Sequence, residues 1–199
     1  MAQVPVPYPV AARELLRRTL LDAMSDQLAT REWAAVTMAE VARAAGVSRQ
    51  TLYKAFGSRQ EFAQAYALRE VDHFLEAVEA AVQAHLDEPA VALSAAFDVF
   101  LTVAANDPFV RAIVSGDGGG ELLPLVTTQG QPVLEHATER LSAFLVAGWP
   151  AIEAAQARLL AECVVRLAIS YAALPSGPAG MGKDSVATLL GPYIERVLA

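Results

Sequence analysis

The stretch TMAEVARAAGVSRQTLYKAFGSRQE, residues 37–61, decides how the rest of the chain is read. Thr37 and Glu40 stand at the spacing of a capping box, in which each side chain satisfies an orphan amide of the other at a helix start. Ser58 and Glu61 repeat the pattern. Between them Gly46 stops a first helix, because it takes the positive φ that a helix C-terminus asks for. Val47 is then a buried turn position, and Ser48 caps a second helix. Two helices of about eight residues joined by a tight turn make a helix-turn-helix.

The apolar residues fit that arrangement. Val41, Ala42, Ala45, Val47, Leu52, Ala55 and Phe56 close a small core, with Ala42 and Gly46 small where the helices cross. The opposite face of the second helix presents Arg49, Gln50, Tyr53 and Lys54, with Thr51 at its edge. Arg and Gln at the start of a groove-entering helix reach base edges, while Tyr, Thr, Lys and helix N-terminal amides hold phosphates. This face is the signature of a duplex-reading element.

The run from Thr37 to Phe62 resembles the DNA-binding head of the tetracycline-repressor (TetR) family: a capped helix, an Ala-Gly-Val-Ser turn, a Thr-Leu-Tyr-Lys-x-Phe recognition helix and a following Ser-Arg-Gln-Glu. The resemblance covers roughly residues 11–70, about a third of the chain. It implies that Thr37, Tyr53, Lys54 and Arg59 contact the DNA backbone, with Arg59 where the family often has Lys. It also implies that Ser48, Arg49, Gln50 and Thr51 lie in the major groove. In the family, a long fourth helix links head to body, and two C-terminal helices from each subunit form a dimer bundle.

Composition agrees with a folded protein. The chain has 199 residues, 54% apolar and 19% charged, long enough to bury a core. One cysteine excludes a disulfide framework. With no secretory leader pattern and no run of about 18 uncharged apolar residues, the expected setting is the cytoplasm. The net charge is −7, but it is unevenly placed: residues 1–70 carry a net of +2 and residues 71–199 a net of −9. A basic head on an acidic body is compatible with nucleic acid, because phosphate responds to the face presented.

Outside the head, Val4 to Pro9 is proline-rich and reads as an extended arm over residues 1–10. Leu15, Leu16, Leu20, Ala23, Met24 and Leu28 predict a helix over about 11–30. Further helices are predicted at about 58–85, 89–105, 107–114, 121–128, 132–147, 151–174 and 184–198, with breaks at Pro, Gly and Asp clusters. No alternating strand pattern occurs. The fold class is all-α: an N-terminal three-helix head over 11–57 and a helical effector-binding and dimerisation body over 58–199.

The helix at 151–174 is apolar almost all round, so one side faces its own core and another wants a partner. Leu159 and Cys163 there, with Leu189, Tyr193, Ile194 and Val197 on the last helix, are the expected dimer residues. Gly191-Pro192 should kink that last helix. The middle helices hold Phe97, Phe100, Leu101, Phe109, Ile113, Phe144 and Trp149, which the resemblance turns into candidate walls of an effector pocket, with His136, Arg166 and Tyr171 as polar anchors. Few charges could lie inside, so the expected effector is uncharged or amphipathic and lipid-like.

Other signals are weak. Residues 177–183 meet seven positions of the phosphate-loop pattern, but the eighth, Asp184, is a carboxylate where magnesium needs a hydroxyl, and no strand precedes. His73, His85 and His136 lack metal-ligand spacing, and Cys163 sits mid-helix in an apolar setting. No cofactor or metal is expected, and no catalytic pair is found. The expected function is a homodimeric regulator, most simply a repressor, released from an inverted-repeat operator by its effector. The other readings are a small helical enzyme on an apolar substrate, which would need a nucleophile or metal, and a sequence-indifferent DNA binder, which would need a more basic surface.

Overall fold

The computed structural model describes residues 7–115, 120–173 and 183–198. Residues 1–6 of the expected arm, most of the Gly116–Gly120 loop and residues 177–182 of the phosphate-loop-like run lie outside them. Among the described residues all regular structure is helical, as the spacing predicted.

Helix α1 runs Tyr8–Leu28 and so begins inside the segment expected to be an arm. Pro9 lies in its first turn, where a missing N–H costs nothing because that amide has no helical partner. Leu20, Leu21, Ala23, Met24 and Leu28 are buried, but Leu15 is 54% exposed, since the helix outruns the core it packs on. A 3-10 turn at Trp33–Ala35, which no periodicity signals, precedes α2, Met38–Ala44. Helix α3 is Arg49–Phe56. Gly46 (φ +72°) and Gly57 (φ +84°) supply the two reversals around it. The φ of +84° at Gly57 would strain any L side chain, and a Cβ there would also push the Glu61 carboxylate, 2.0 Å away, aside.

Helix α4, Arg59–Gln83, is 25 residues long, about 37 Å at 1.5 Å per residue. Ser58 caps it by accepting from the Glu61 amide; the return bond expected of a second capping box is not made. Its first half packs Phe62, Ala63, Tyr66 and Ala67 into one core, and its second half packs Leu75, Val78 and Val82 into another. The body follows as α5 (Pro89–Asn106), α6 (Pro108–Ser115), α7 (Leu122–Val126), α8 (Gln131–Gly148), α9 (Ala154–Ala173) and α10 (Lys183–Leu198). Two of the breaks have local causes. Asp107 Oδ1 accepts from the amides of Phe109 (2.8 Å) and Val110 (2.9 Å), opening α6. Trp149 ends α8 and donates from Nε1 to Leu86 O (2.9 Å), pinning the foot of the body. Pro192 is accommodated inside α10.

The cores do not divide at residue 58. One core joins Trp33, Leu20, Met24, Leu52 and Phe62 of the head to Phe109, Ile113, Leu122, Leu125 and Val133 of α6–α8. The second holds the far half of α4 with α5, α8, α9 and α10. The two meet at Val71, which packs against both. Across them, Arg140 of α8 bridges Asp72 (2.8 Å) and Glu79 (2.8 Å) on α4, and His136 shares Asp72 at 2.8 Å. Burial pushes the Asp72 carboxyl up, but the bonds from His136 and Arg140 outweigh it and hold it below its ordinary value.

Candidate nucleic-acid interface and effector cavity

The start of α3 is built by a hydroxyl. Ser48 Oγ accepts from the Thr51 amide (3.1 Å) and is 2.9 Å from Thr51 Oγ1, so two of the four expected groove residues meet at the helix N-terminus. Ser48, Arg49, Gln50 and Lys54 are exposed, and Thr51 and Tyr53 are half-buried. The Arg49 guanidinium stands 5.3 Å from the Tyr53 ring centroid. The other face of α3 buries Leu52, Ala55 and Phe56. The sequence thus yields one inward apolar face and one outward face of donors. Arg17 of α1 closes the far end: it donates to Ala55 O and its guanidinium lies 4.1 Å from the Phe56 ring.

Thr37 caps α2 through the complete box: its amide and hydroxyl donate to Glu40 Oε2 (2.9 and 2.7 Å), and its Oγ1 accepts from the Glu40 amide at 3.3 Å. Arg31 adds a bond to Glu40 at 3.1 Å. The Thr37 hydroxyl and amide, then Arg31, lower the Glu40 carboxyl from an ordinary 4.5 to about 2. A depressed native pKa means that the box contributes fully above the ordinary carboxylate range and fades as pH falls toward the native value. An NMR titration of the Glu40 carboxyl carbon should therefore give a midpoint near 2; a midpoint near 4.5 would show that the box does not hold in solution.

Arg59 departs from expectation. Its guanidinium turns inward, donating to Glu121 at 2.8 Å, to Val36 O at 2.7 Å and to Trp33 O at 3.2 Å. In this DNA-free arrangement its guanidinium donors are taken up by these acceptors. Trp33, fully buried, donates from Nε1 to the same Glu121 at 2.9 Å. Burial pushes the Glu121 carboxyl up, but the bonds from Arg59 and Trp33 outweigh it and hold it below its ordinary value. Trp33 and Glu121 carry no local pattern and were not legible as partners; they are 88 residues apart.

A cavity of about 240 Å³ opens between α4, α5, α6, α7, α8 and α9. Of the residues expected to wall an effector pocket, Phe100, Phe109 and Ile113 line it. Most of its wall was missed: Val71, Phe74, Val103, Val110, Val133, Ala137, Val165, Ala168, Ile169 and Ala172. Apart from Phe74 these are small or β-branched side chains, which leave space between helices but carry no mark in the sequence. Glu70, His73 and Asp107 are its polar lining residues. The remaining candidates lie elsewhere. Phe97 and Tyr171 pack their rings on Phe100 at 5.6 and 5.3 Å without lining the cavity. Leu101 is half-buried on α5, and Phe144 packs on the lower core. Trp149 is held in that core by its bond to Leu86. His136 is engaged by Asp72. Arg166 pairs with Glu162 at 2.8 Å in an adjoining recess, lined also by Arg158 and Thr138, that shares Val126 and Ile169 with the cavity.

The expected dimer residues also divide. Leu159 (58% exposed), Cys163 and Leu167 (42% exposed) form an i, i+4, i+8 stripe on the outside of α9, and Leu189 of α10 is 72% exposed. Ile194 is 4% exposed, and it packs in the chain's own core with Tyr193 and Val197 beside it. It faces inward because α10 lies along α5, which claims that side of the helix.

A family model described as "Bacterial regulatory proteins, tetR family" matches residues 20–66, and one described as "Bacterial Tetracyclin repressor, C-terminal domain" matches residues 87–192. The chain belongs to the TetR family of transcriptional regulators. As a member, it carries the family's DNA-binding domain in the helix-turn-helix head. It is 40% identical over 191 residues to the HTH-type transcriptional regulator AlkX of Mycobacterium tuberculosis (strain ATCC 25618 / H37Rv), covering 96% of this chain and 90% of that one. The crystal structure of the TetR family repressor AlkX from Dietzia sp. strain DQ12-45-1b, implicated in biodegradation of n-alkanes, matches with a TM-score of 0.82 at 40% identity, over 92% of this chain and 97% of that one. A TetR-family regulator from Streptomyces coelicolor A3 shares the fold at a TM-score of 0.53 and 20% identity, over 100% of this chain and 99% of that one. Among the described residues no helix is long and apolar enough to cross a membrane.

Proposed function

We propose that this TetR-family regulator is a cytoplasmic homodimeric repressor that holds an inverted-repeat operator through α3 of each subunit and releases it when an apolar or amphipathic effector enters the cavity. The observation that carries the reading is the outward face of α3: Arg49, Gln50 and Lys54 exposed on a short helix whose start is fixed by Ser48 and whose back is buried. Arg49 and Gln50 are the base readers; Thr37, Tyr53 and Lys54 hold the backbone, and Ser48 and Thr51 shape the helix end at the groove. The apolar stripe Leu159–Cys163–Leu167, with Leu189, supports self-association, since leucines this exposed at helical spacing favour a partner. A C2 pair of heads then sets an inverted-repeat target.

The cavity supports an alkyl effector, because its wall is almost wholly hydrocarbon. The link between the AlkX relative from Dietzia and n-alkane biodegradation points the same way. Release follows if the effector favours a head-to-head spacing unsuited to the operator; a coupling of about 1–3 kcal/mol changes affinity roughly 5–150-fold. The test is selection from a random duplex library at near-physiological salt, followed by titration with 1-decanol. Enrichment of an inverted repeat, released by 1-decanol, is expected. Enrichment without release would remove the effector part, and no enrichment would remove the operator part.

A further inference from the structure

The head is tied to the body by more than α4. Trp33 packs on Tyr66 of α4 (centroids 5.5 Å) and on Phe109 of α6 (6.3 Å), and Phe109 in turn packs on Tyr66 at 5.3 Å. Phe109 is also a wall of the cavity. One ring therefore faces the effector space on one side and the head's largest buried side chain on the other. The Trp33 indole donates to Glu121, at the lead into α7. Glu121 also takes Arg59, and Arg59 grips the carbonyls of Trp33 and Val36. Those carbonyls belong to the turn that runs directly into Thr37, the cap of α2.

We infer that Glu121 and Arg59 form a latch that fixes the entry to the reading head from the body side, so that the head senses the cavity through Phe109 and Trp33 as well as through α4. The physical ground is close packing. A core at crystal-like density does not absorb a displaced ring; it passes the displacement to the next one. Phe109 has Trp33 and Tyr66 as neighbours, and Trp33 cannot shift without breaking its bond to Glu121 or dragging the turn that Arg59 holds. Arg59 suits the task because its planar fork serves a carboxylate and two carbonyls at once. Glu121 and Arg59 are positioning residues here; neither lines the cavity.

The cavity-sensing part rests on the effector reading above, so the test has two arms. In the first, amide hydrogen exchange is measured on the full chain without DNA or effector, for wild type, Glu121→Ala, Glu121→Asp and Arg59→Lys. Exchange over residues 33–41 should rise about tenfold or more in Glu121→Ala and Arg59→Lys, and less in Glu121→Asp, with α8 unchanged. A rise confined to residues 121–126 in Glu121→Ala would overturn the latch. In the second arm, 1-decanol is titrated into each protein bound to its selected duplex. The alanine variant should bind 1-decanol like wild type by native mass spectrometry, yet lose most of the release. Equal release in both would overturn the relay through Trp33. A wild type that does not respond to 1-decanol counts against the effector reading, while the exchange arm still decides the latch.

Discussion

Replacing Arg49 and Gln50 together with alanine should lower operator affinity by about 100-fold or more and abolish the preference for the selected sequence over a scrambled one. Each well-placed base contact is worth about 1–3 kcal/mol, and every 1.4 kcal/mol is tenfold. Both side chains are exposed on the first turn of α3 while Leu52, Ala55 and Phe56 hold the helix from behind, so stability should change by less than about 0.5 kcal/mol. Lys54→Ala makes the contrast. A phosphate contact carries no sequence information, so it should weaken both duplexes alike and flatten the salt dependence by about one unit. Fluorescence anisotropy on the two duplexes across a salt series separates these outcomes. Equal binding by the double variant and wild type would remove α3 as the reading helix.

The second large effect is expected from Leu159→Glu with Leu167→Glu. Both leucines are exposed in the single subunit, at 58% and 42%, one turn before and one turn after Cys163 on the same stripe of α9. Charges there do not disturb the subunit's own core, which α9 meets through Ala157, Leu160, Ala161 and Val165. They would place desolvated carboxylates in a self-complementary interface, where each substitution counts twice. Sedimentation at micromolar concentration should show a monomer with unchanged helicity by circular dichroism. Operator affinity should fall by about 100-fold or more, because the second head no longer binds as an intramolecular event. A variant that stays dimeric would move the interface away from this stripe.

The head was legible because its signals are local. Capping at Thr37 and Ser48, the turn at Gly46 and the apolar positions around Leu52 all act within a few residues, and they predicted helix limits to within a residue or two. The body's helices were legible for the same reason, since proline and acidic caps punctuate them. What the sequence could not show was which face of a helix meets which neighbour. Ile194 and Leu189 share one helix and similar hydropathy, yet one is in the core and the other in solvent, because α5 covers one side of α10. That Arg59 pairs with Glu121, 62 residues away, is likewise a long-range contact with no local mark. The cavity escaped because it is defined by space between small side chains, and a sequence records side chains. Helix α1 began early because proline, a breaker in mid-helix, is at ease in a first turn.

On the proposed function, two copies of this chain read one inverted repeat. Native mass spectrometry of the protein on its selected duplex, beside a duplex carrying a single half-site, tests it most directly. Two copies on the full repeat, with affinity for the half-site lower by about 100-fold or more, is the predicted result. One copy per duplex, or equal affinity for both, would contradict it.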